Sequence, residues 1–171
     1  MKNTMKATLI VNGKEFPIEI HDPKLIEEVV SKKKTGYERV DNGKSYYFSS
    51  GSGFATKTYD NESVSDYNAY KNANYYSDKT VAENNARADA LMRKLRRFAV
   101  EHRKTEINWK DDSPKYCIYY NNNDNIISVT WYNAYRYFGG IFFDSSKTAE
   151  LAIEEFKDEL IWYFTKYKDS L

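Results

Sequence analysis

The sequence predicts an α+β domain in which antiparallel sheets carry two long helices on one face, preceded by a β-hairpin and a short helix. Three observations lead there. Pairs of β-prone segments are joined by short turns, two long stretches place apolar residues at helical spacing, and one strand–cap–helix pattern occurs twice. With 171 residues and 41% hydrophobic content, the chain can bury a self-sufficient core.

Residues 1–36 are predicted to form the hairpin and the short helix. Asn12-Gly13 separates the β-prone runs 7–11 and 15–20, and both turn residues tolerate a positive φ. Asp22-Pro23 is typical of a helix start, because aspartate caps free amides and proline suits the first turn. Gly36 is the expected end of that helix.

Residues 37–104 are predicted to form a first β-β-β-α unit. Strands at 45–49 and 54–59 flank a glycine turn, 60–72 is a polar loop, and 74–76 is a short third strand. Ser77 or Asp78 then caps a helix over 79–103. Helical spacing predicts its core face: Val81, Ala88, Leu91, Met92, Leu95, Phe98 and Ala99.

Residues 105–171 are predicted to form a second unit of the same kind. A linker leads to strands at 115–120 and 126–132, and a third strand, 135–143, is interrupted by Gly139-Gly140. Asp144 or Ser145 caps a final helix that runs to about 168. Its predicted buried face is Ala149, Ala152, Ile153, Phe156, Leu160, Ile161 and Phe164.

The two units share a local pattern. Tyr75-Tyr76-Ser77-Asp78 and Phe142-Phe143-Asp144-Ser145 each place an aromatic pair before a helix cap, and an Ala-Glu pair follows at the same offset. This predicts a duplicated strand-strand-strand-helix unit. Convergence on the same strand–cap–helix chemistry is the alternative, and the two units are expected to share one globular domain.

Composition narrows the classes of function. A net charge of +1 gives no overall attraction to nucleic acid or anionic lipid. The single cysteine, Cys117, forms no disulfide within the chain, which fits a reducing compartment. No stretch approaches the ~20 apolar residues of a membrane span. We therefore expect a cytoplasmic protein without membrane contact.

Signals for catalysis or metal binding are weak in the sequence, although the spacing of Asp60, Glu62 and Asp66 allows a metal site, and an enzyme with a carboxylate site is the third hypothesis. His21, His102 and Cys117 lie too far apart in the chain to indicate a zinc site, and there is no phosphate-binding glycine loop or nucleophile motif. Asp60, Glu62 and Asp66 lack the glycine and acidic anchor of a calcium loop. We expect a non-enzymatic protein with no cofactor and no metal.

The candidate binding residues are cations and tyrosines. The basic stripe is the set of cations on the 79–103 helix and just beyond it: Arg87, Arg93, Arg96, Arg97, Arg103 and Lys104. The chain holds 16 tyrosines, and we select Tyr59, Tyr67, Tyr70, Tyr132 and Tyr135. Cations beside aromatic rings predict nucleic-acid or nucleotide binding. Alternatively, the stripe is a solvated face paired with the acidic final helix, and the tyrosines reflect β-propensity.

Several segments resemble a group of small proteins encoded by phages and prophages of Firmicutes. They are 35–40, 46–47, 74–76, 85–89, 95–99, 119–120, 131–132 and 142–145. Gly139-Gly140 departs from the single glycine usual in that group. The resemblance implies a phage accessory protein that binds a host protein, such as a CRISPR or other defence component, in the host cytoplasm. An uncovered sheet edge or aromatic patch would instead favour a homodimer.

Overall fold

The computed structural model describes residues 5–11, 14–21 and 34–167. At its start, β1 (Met5–Val11) pairs antiparallel with β2 (Lys14–Ile20), with Met5 opposite Ile20 and Val11 opposite Lys14. The predicted N-terminal hairpin is therefore confirmed. Its turn at Asn12-Gly13 and the helix predicted after Asp22-Pro23 lie outside the described residues.

The second hairpin follows the prediction closely, whereas the segment after it does not. Strand β3 (Ser45–Ser49) pairs antiparallel with β4 (Ala55–Tyr59). The loop predicted over 60–72 is wrong, because helix α1 (Val64–Lys71) forms there. Ser63 accepts a hydrogen bond from the Asp66 amide while the Asp66 carboxylate accepts one from the Ser63 amide, a reciprocal capping box that starts the helix.

The long central helix is confirmed as α2 (Lys79–His102), capped by Asp78, which accepts a 2.9 Å hydrogen bond from the Val81 amide. Val81 and Met92, predicted in the core, are only partly buried. Four of the seven buried residues of α2 are alanines. The buried face consists of Ala82, Ala86, Ala88, Leu91, Leu95, Phe98 and Ala99.

The third hairpin joins β5 (Lys115–Asn121) to β6 (Ile126–Tyr132) in antiparallel register. The strands predicted at 74–76 and 135–143 are wrong, because only single bridges form: Tyr76 pairs with Tyr47, and Phe143 pairs with Tyr116. A turn at Gly139, whose φ is +74°, breaks the extended run that the aromatic residues had indicated.

The final helix is interrupted rather than continuous to 168. Helix α3 (Ser146–Glu155) is capped by Ser145, α4 (Lys157–Trp162) follows, and a π-helical turn covers Tyr163–Tyr167. The break lies at Phe156, whose φ of −109° and ψ of 21° leave the helical region. Past the break the predicted apolar face is only partly retained: Leu160 is buried and Phe164 packs against the core, but Ile161 is 42% exposed.

One core joins the C-terminal half of α2 to the last third of the chain. Leu91, Leu95, Phe98 and Ala99 pack with Phe143, Ala149, Ala152 and Leu160. The two predicted units also share backbone geometry, since α2 and α3 begin at the same distance after the bridging residues Tyr76 and Phe143. The α+β class is confirmed, with three two-stranded sheets among the described residues. Duplication stays a prediction.

Candidate functional site

The most exposed aromatic surface follows strand β6. We define the aromatic patch as Tyr132, Tyr135, Tyr137 and Phe138. The Gly140 amide donates a 3.0 Å hydrogen bond to the Tyr137 carbonyl, and Gly139 has a positive φ at the third position, as in a type II turn. This turn places Phe138 at its tip, where the side chain is fully exposed.

The rings of the patch contact one another. The Tyr132 ring lies edge-on to Tyr135, with centroids 6.5 Å apart, and edge-on to Tyr137, with centroids 5.0 Å apart. A hydrogen bond with the Tyr132 side chain raises the pKa of Tyr137, so the Tyr137 phenol stays neutral at pH 7. Tyr135 and Tyr137 nevertheless remain 65% and 50% exposed. The patch therefore combines ordered rings with open apolar surface.

Trp109 fixes the loop that carries the patch. Its ring packs edge-on against Phe142 at 4.8 Å between centroids, and the Arg136 guanidinium lies 4.5 Å from the Trp109 centroid. Lys115 is buried, and its Nζ lies 5.6 Å from the Trp109 ring centroid. The same Nζ donates a 2.8 Å hydrogen bond to the Asp111 carbonyl. The loop, the linker and strand β5 are thus held together.

Both glycines of the turn are required by its geometry. Gly139 adopts a left-handed φ that other residues rarely accept. A Cβ on Gly140 would lie 2.9 Å from Cε2 of Phe142 and 3.1 Å from the Tyr137 carbonyl oxygen. The double glycine therefore has a structural reason: it lets the turn close tightly against Phe142.

The basic stripe is exposed along most of its length. Arg93, Arg96, Arg97, Arg103 and Lys104 are all exposed. The Arg93 side chain donates to the Gly51 carbonyl at 2.8 Å, while Arg97 and Arg103 pair with the nearby Glu101 and Glu106 at 3.8 and 2.9 Å. Exposed pairs of this kind contribute little to stability. Among the residues that the structure describes, no ion pair joins these five cations to the final helix.

Arg87 differs from the other cations of the stripe. Its Nε donates a 2.9 Å hydrogen bond to the Glu159 carboxylate, and its guanidinium lies 3.9 Å from the Trp162 ring centroid. The predicted pairing between the two helices therefore occurs at this one position of the stripe. Arg87 therefore connects α2 to α4, and its charge is already paired with Glu159.

The predicted tyrosines fall into two groups. Tyr132 and Tyr135 come together in the aromatic patch, whereas Tyr59, Tyr67 and Tyr70 lie on β4 and α1. The Arg39 guanidinium covers the Tyr67 ring at 4.1 Å. Sequence reasoning missed Tyr137 and Phe138, which were assigned to a strand. A run of aromatic residues ending in Gly139-Gly140 was the available signal for an exposed turn.

Beneath α1, two buried carboxylates meet two stacked tyrosines. The rings of Tyr46 and Tyr75 stack with centroids 3.9 Å apart. The Tyr46 hydroxyl donates to Asp66 at 2.8 Å, and the Tyr75 hydroxyl donates to Asp60 at 2.9 Å. This network holds α1 against the second hairpin.

Hydrogen-bond donors of the protein itself satisfy the carboxylates of Asp60 and Asp66. Arg39 donates to the two Asp60 oxygens at 2.9 and 3.1 Å, which lowers the pKa of Asp60. Ser63 donates to Asp66 through its amide and hydroxyl, and these bonds lower the pKa of Asp66 to about 2. Both aspartates therefore have a structural role, and no group of three or more metal-ligating side chains is present among the described residues.

No helix in the part of the chain that the structure describes is long and apolar enough to cross a membrane. Comparison of the chain with protein-family models, curated proteins and solved structures finds no match. The resemblance to phage proteins therefore stays a prediction from the sequence.

Proposed function

We propose that this chain is a non-enzymatic binding protein that recognises another protein through the aromatic patch. One observation carries the proposal: Phe138 stands fully exposed at the tip of a turn whose flanking rings are ordered. Contiguous exposed apolar surface is typical of interaction sites, and preorganised aromatic side chains dominate the binding energy of protein interfaces.

We further propose that the partner is a host protein. This rests on the resemblance of the sequence to small phage proteins, which implies an accessory protein acting on a defence component, such as a CRISPR effector, in the host cytoplasm. Arg136 beside the patch supplies a cation, and arginine is enriched at the centre of interfaces. A partner with an apolar pocket and a nearby carboxylate fits this surface.

The test begins with affinity capture from Firmicute lysates and continues with the purified partner. We expect Phe138→Ser to weaken binding about 30-fold, because loss of a central aromatic contact costs about 2 kcal/mol. Phe54→Ser is the matched control, since Phe54 is 75% exposed beside the second hairpin and is not a candidate binding residue. Equal affinity of the wild type and Phe138→Ser, with the fold retained by circular dichroism, would refute the assignment of the patch.

Binding of nucleic acid by the basic stripe is the second candidate. The exposure of Arg93, Arg96 and Arg97 on the side of α2 away from its core favours it. Such binding would weaken steeply with salt, because each neutralised phosphate releases counterions. Single-stranded DNA and RNA are the appropriate probes, measured by fluorescence anisotropy at low and physiological salt.

Charge reversal separates this candidate from non-specific attraction. The triple variant Arg93→Glu, Arg96→Glu, Arg97→Glu should lose binding. A variant with Lys57→Glu, Lys71→Glu and Lys110→Glu changes the net charge equally at exposed lysines elsewhere, and it should bind nearly as the wild type does. The absence of binding to either polymer at low salt would eliminate this candidate and leave the aromatic patch unaffected.

A further inference from the structure

An apolar cavity of about 300 Å³ lies between α2, the third hairpin, the loop after β6 and the C-terminal helical segment. Its wall includes Leu91 and Leu95 of α2, Cys117 and Thr130 of the two strands, and Phe164 of the final turn. No lining side chain carries a formal charge at pH 7. The few polar groups are one thiol, one threonine hydroxyl and several tyrosine hydroxyls.

The polar groups of the wall are neutral. Burial raises the pKa of the Cys117 thiol, so it is protonated at pH 7. Thr130 lies directly opposite Cys117 in the antiparallel pair of strands, and the Tyr132 ring closes the same side. A charged ligand would lose its hydration there without meeting an opposite charge, at a large cost in free energy. The wall therefore selects against ions.

We propose that this cavity binds one small, uncharged, mainly apolar molecule with one or two rings. Its volume is at the lower end of the range for ligand pockets, roughly 300–1,000 Å³. An apolar cavity of about 150 Å³ accommodates a single benzene ring, so this one has room for a fused bicyclic molecule. The thiol and the hydroxyls provide weak hydrogen-bonding positions for one polar substituent.

Binding in the cavity does not require the proposed protein partner, although the cavity and the aromatic patch have residues in common. Tyr132 and Tyr137 belong to the aromatic patch and also line the cavity, and Gly139 and Gly140 complete that side. The loop after β6 therefore has an outer face that meets solvent and an inner face that meets the cavity. Ligand binding can be measured with no protein partner present.

Cys117 makes a site-specific test straightforward, because it is the only cysteine in the chain. The rate of its modification by N-ethylmaleimide, followed by intact mass, reports access to the cavity. With 2-naphthol at ten times its dissociation constant, determined by the change in naphthol fluorescence, we expect modification to slow about tenfold by mass action. The matched probe 2-naphthalenesulfonate has the same rings and a negative charge, and it should give no protection.

Two substitutions at Thr130 locate the bound molecule. Thr130→Val keeps the volume and should retain protection by 2-naphthol. Thr130→Phe places a ring in the cavity and should abolish naphthol binding. If circular dichroism shows that Thr130→Phe does not fold, the proposal is tested by comparing protection by 2-naphthol and by 2-naphthalenesulfonate on the wild type. Absence of saturable protection by 2-naphthol, or equal protection by the sulfonate, would overturn the proposal.

Discussion

At the scale of single residues, the buried aspartates Asp60 and Asp66 hold the first unit together through hydrogen bonds to Tyr75 and Tyr46. The sequence places them in a predicted polar loop, and it contains no sign of the stacked tyrosines that reach them from β3 and from residue 75. Contacts of this kind join residues 15 and 20 positions apart. Local patterns do not encode them, so they could not be predicted without the fold.

We expect Asp60→Asn to lower the free energy of unfolding by about 3 kcal/mol. The substitution leaves the Arg39 guanidinium, which is mostly buried, without its paired charge, and breaking a buried ion pair costs about 3–5 kcal/mol. Urea unfolding followed by circular dichroism measures the change. Asp112→Asn, at an exposed position, is the control and should change stability by less than about 0.5 kcal/mol. A similar small effect for Asp60→Asn would contradict the structural role.

Acid should destabilise the protein in a defined pH range. Hydrogen bonds from Ser63 hold the pKa of Asp66 at about 2 in the folded chain, below its ordinary value of 3.8. A carboxylate with a lowered folded pKa stabilises the fold above its unfolded pKa, and this stabilisation is lost as pH falls through the folded pKa. We expect the free energy of unfolding to decline between about pH 4 and pH 2.

Urea unfolding at a series of pH values tests this expectation. Asp66→Asn should reduce the acid dependence because residue 66 no longer titrates. Glu154→Gln, an exposed change on α3, should leave the dependence close to that of the wild type. An unchanged acid slope in Asp66→Asn would show that the Ser63 and Tyr46 bonds do not favour the ionised form.

At the scale of elements, the sequence predicted the three hairpins and the long central helix well, and it predicted the short or irregular segments and the break in the final helix poorly. The bounds of β3, β6 and α2 agree closely, because their turns, caps and apolar spacing are local signals. Helix α1 was missed since it has almost no apolar face and depends on its capping box. The aromatic content of 135–143 predicted a strand, but Gly139 adopts a positive φ, and the chain forms a turn there.

Part of the candidate site could be predicted because it, too, depends on local signals in the sequence. Exposure of the basic stripe follows from helical spacing opposite the buried face of α2. The pairing of Arg87 with Glu159, the contact of Tyr132 with Tyr137, and the cavity depend on how the last third of the chain packs on α2. These relations between distant residues appear only in three dimensions.

The cap of α2 gives a prediction at the scale of this element. Asp78→Ala should lower the free energy of unfolding by about 1 kcal/mol, because the Val81 amide loses its acceptor. Asp78→Asn retains a side-chain oxygen and should cost only a few tenths of that amount. Chemical unfolding of the three proteins side by side provides the measurement, and equal stability of all three would count against the cap.

At the scale of the whole molecule, α2 lies in the first predicted unit by sequence but packs into the core of the second. The division of residues 37–104 from 105–171 follows the sequence pattern, yet α2 supplies Leu91, Leu95 and Phe98 to the core that contains Phe143 and Leu160. Arg87 adds a polar link to α4 at Glu159. A core shared in this way couples the stability of the two units.

We therefore expect one cooperative unfolding transition. All three tryptophans, Trp109, Trp131 and Trp162, lie in the second unit, so their fluorescence reports mainly on that unit and on the contact of Trp162 with Arg87. Asp60→Asn perturbs the first unit, and it should move the midpoints seen by tryptophan fluorescence and by far-ultraviolet circular dichroism by the same amount. A tryptophan transition that stays at its wild-type midpoint would show that the units unfold separately.

The turn that presents Phe138 also determines where the native protein is open to proteolysis. Exposed loop tips are preferred cleavage sites, and a chymotrypsin-like enzyme with an apolar specificity pocket cuts after aromatic residues. Brief digestion should therefore cleave first after Tyr137 or Phe138. The two fragments would remain associated through the shared core while the recognition loop is severed. A bound partner would delay that first cut, so the digestion rate reports occupancy of the loop without any label.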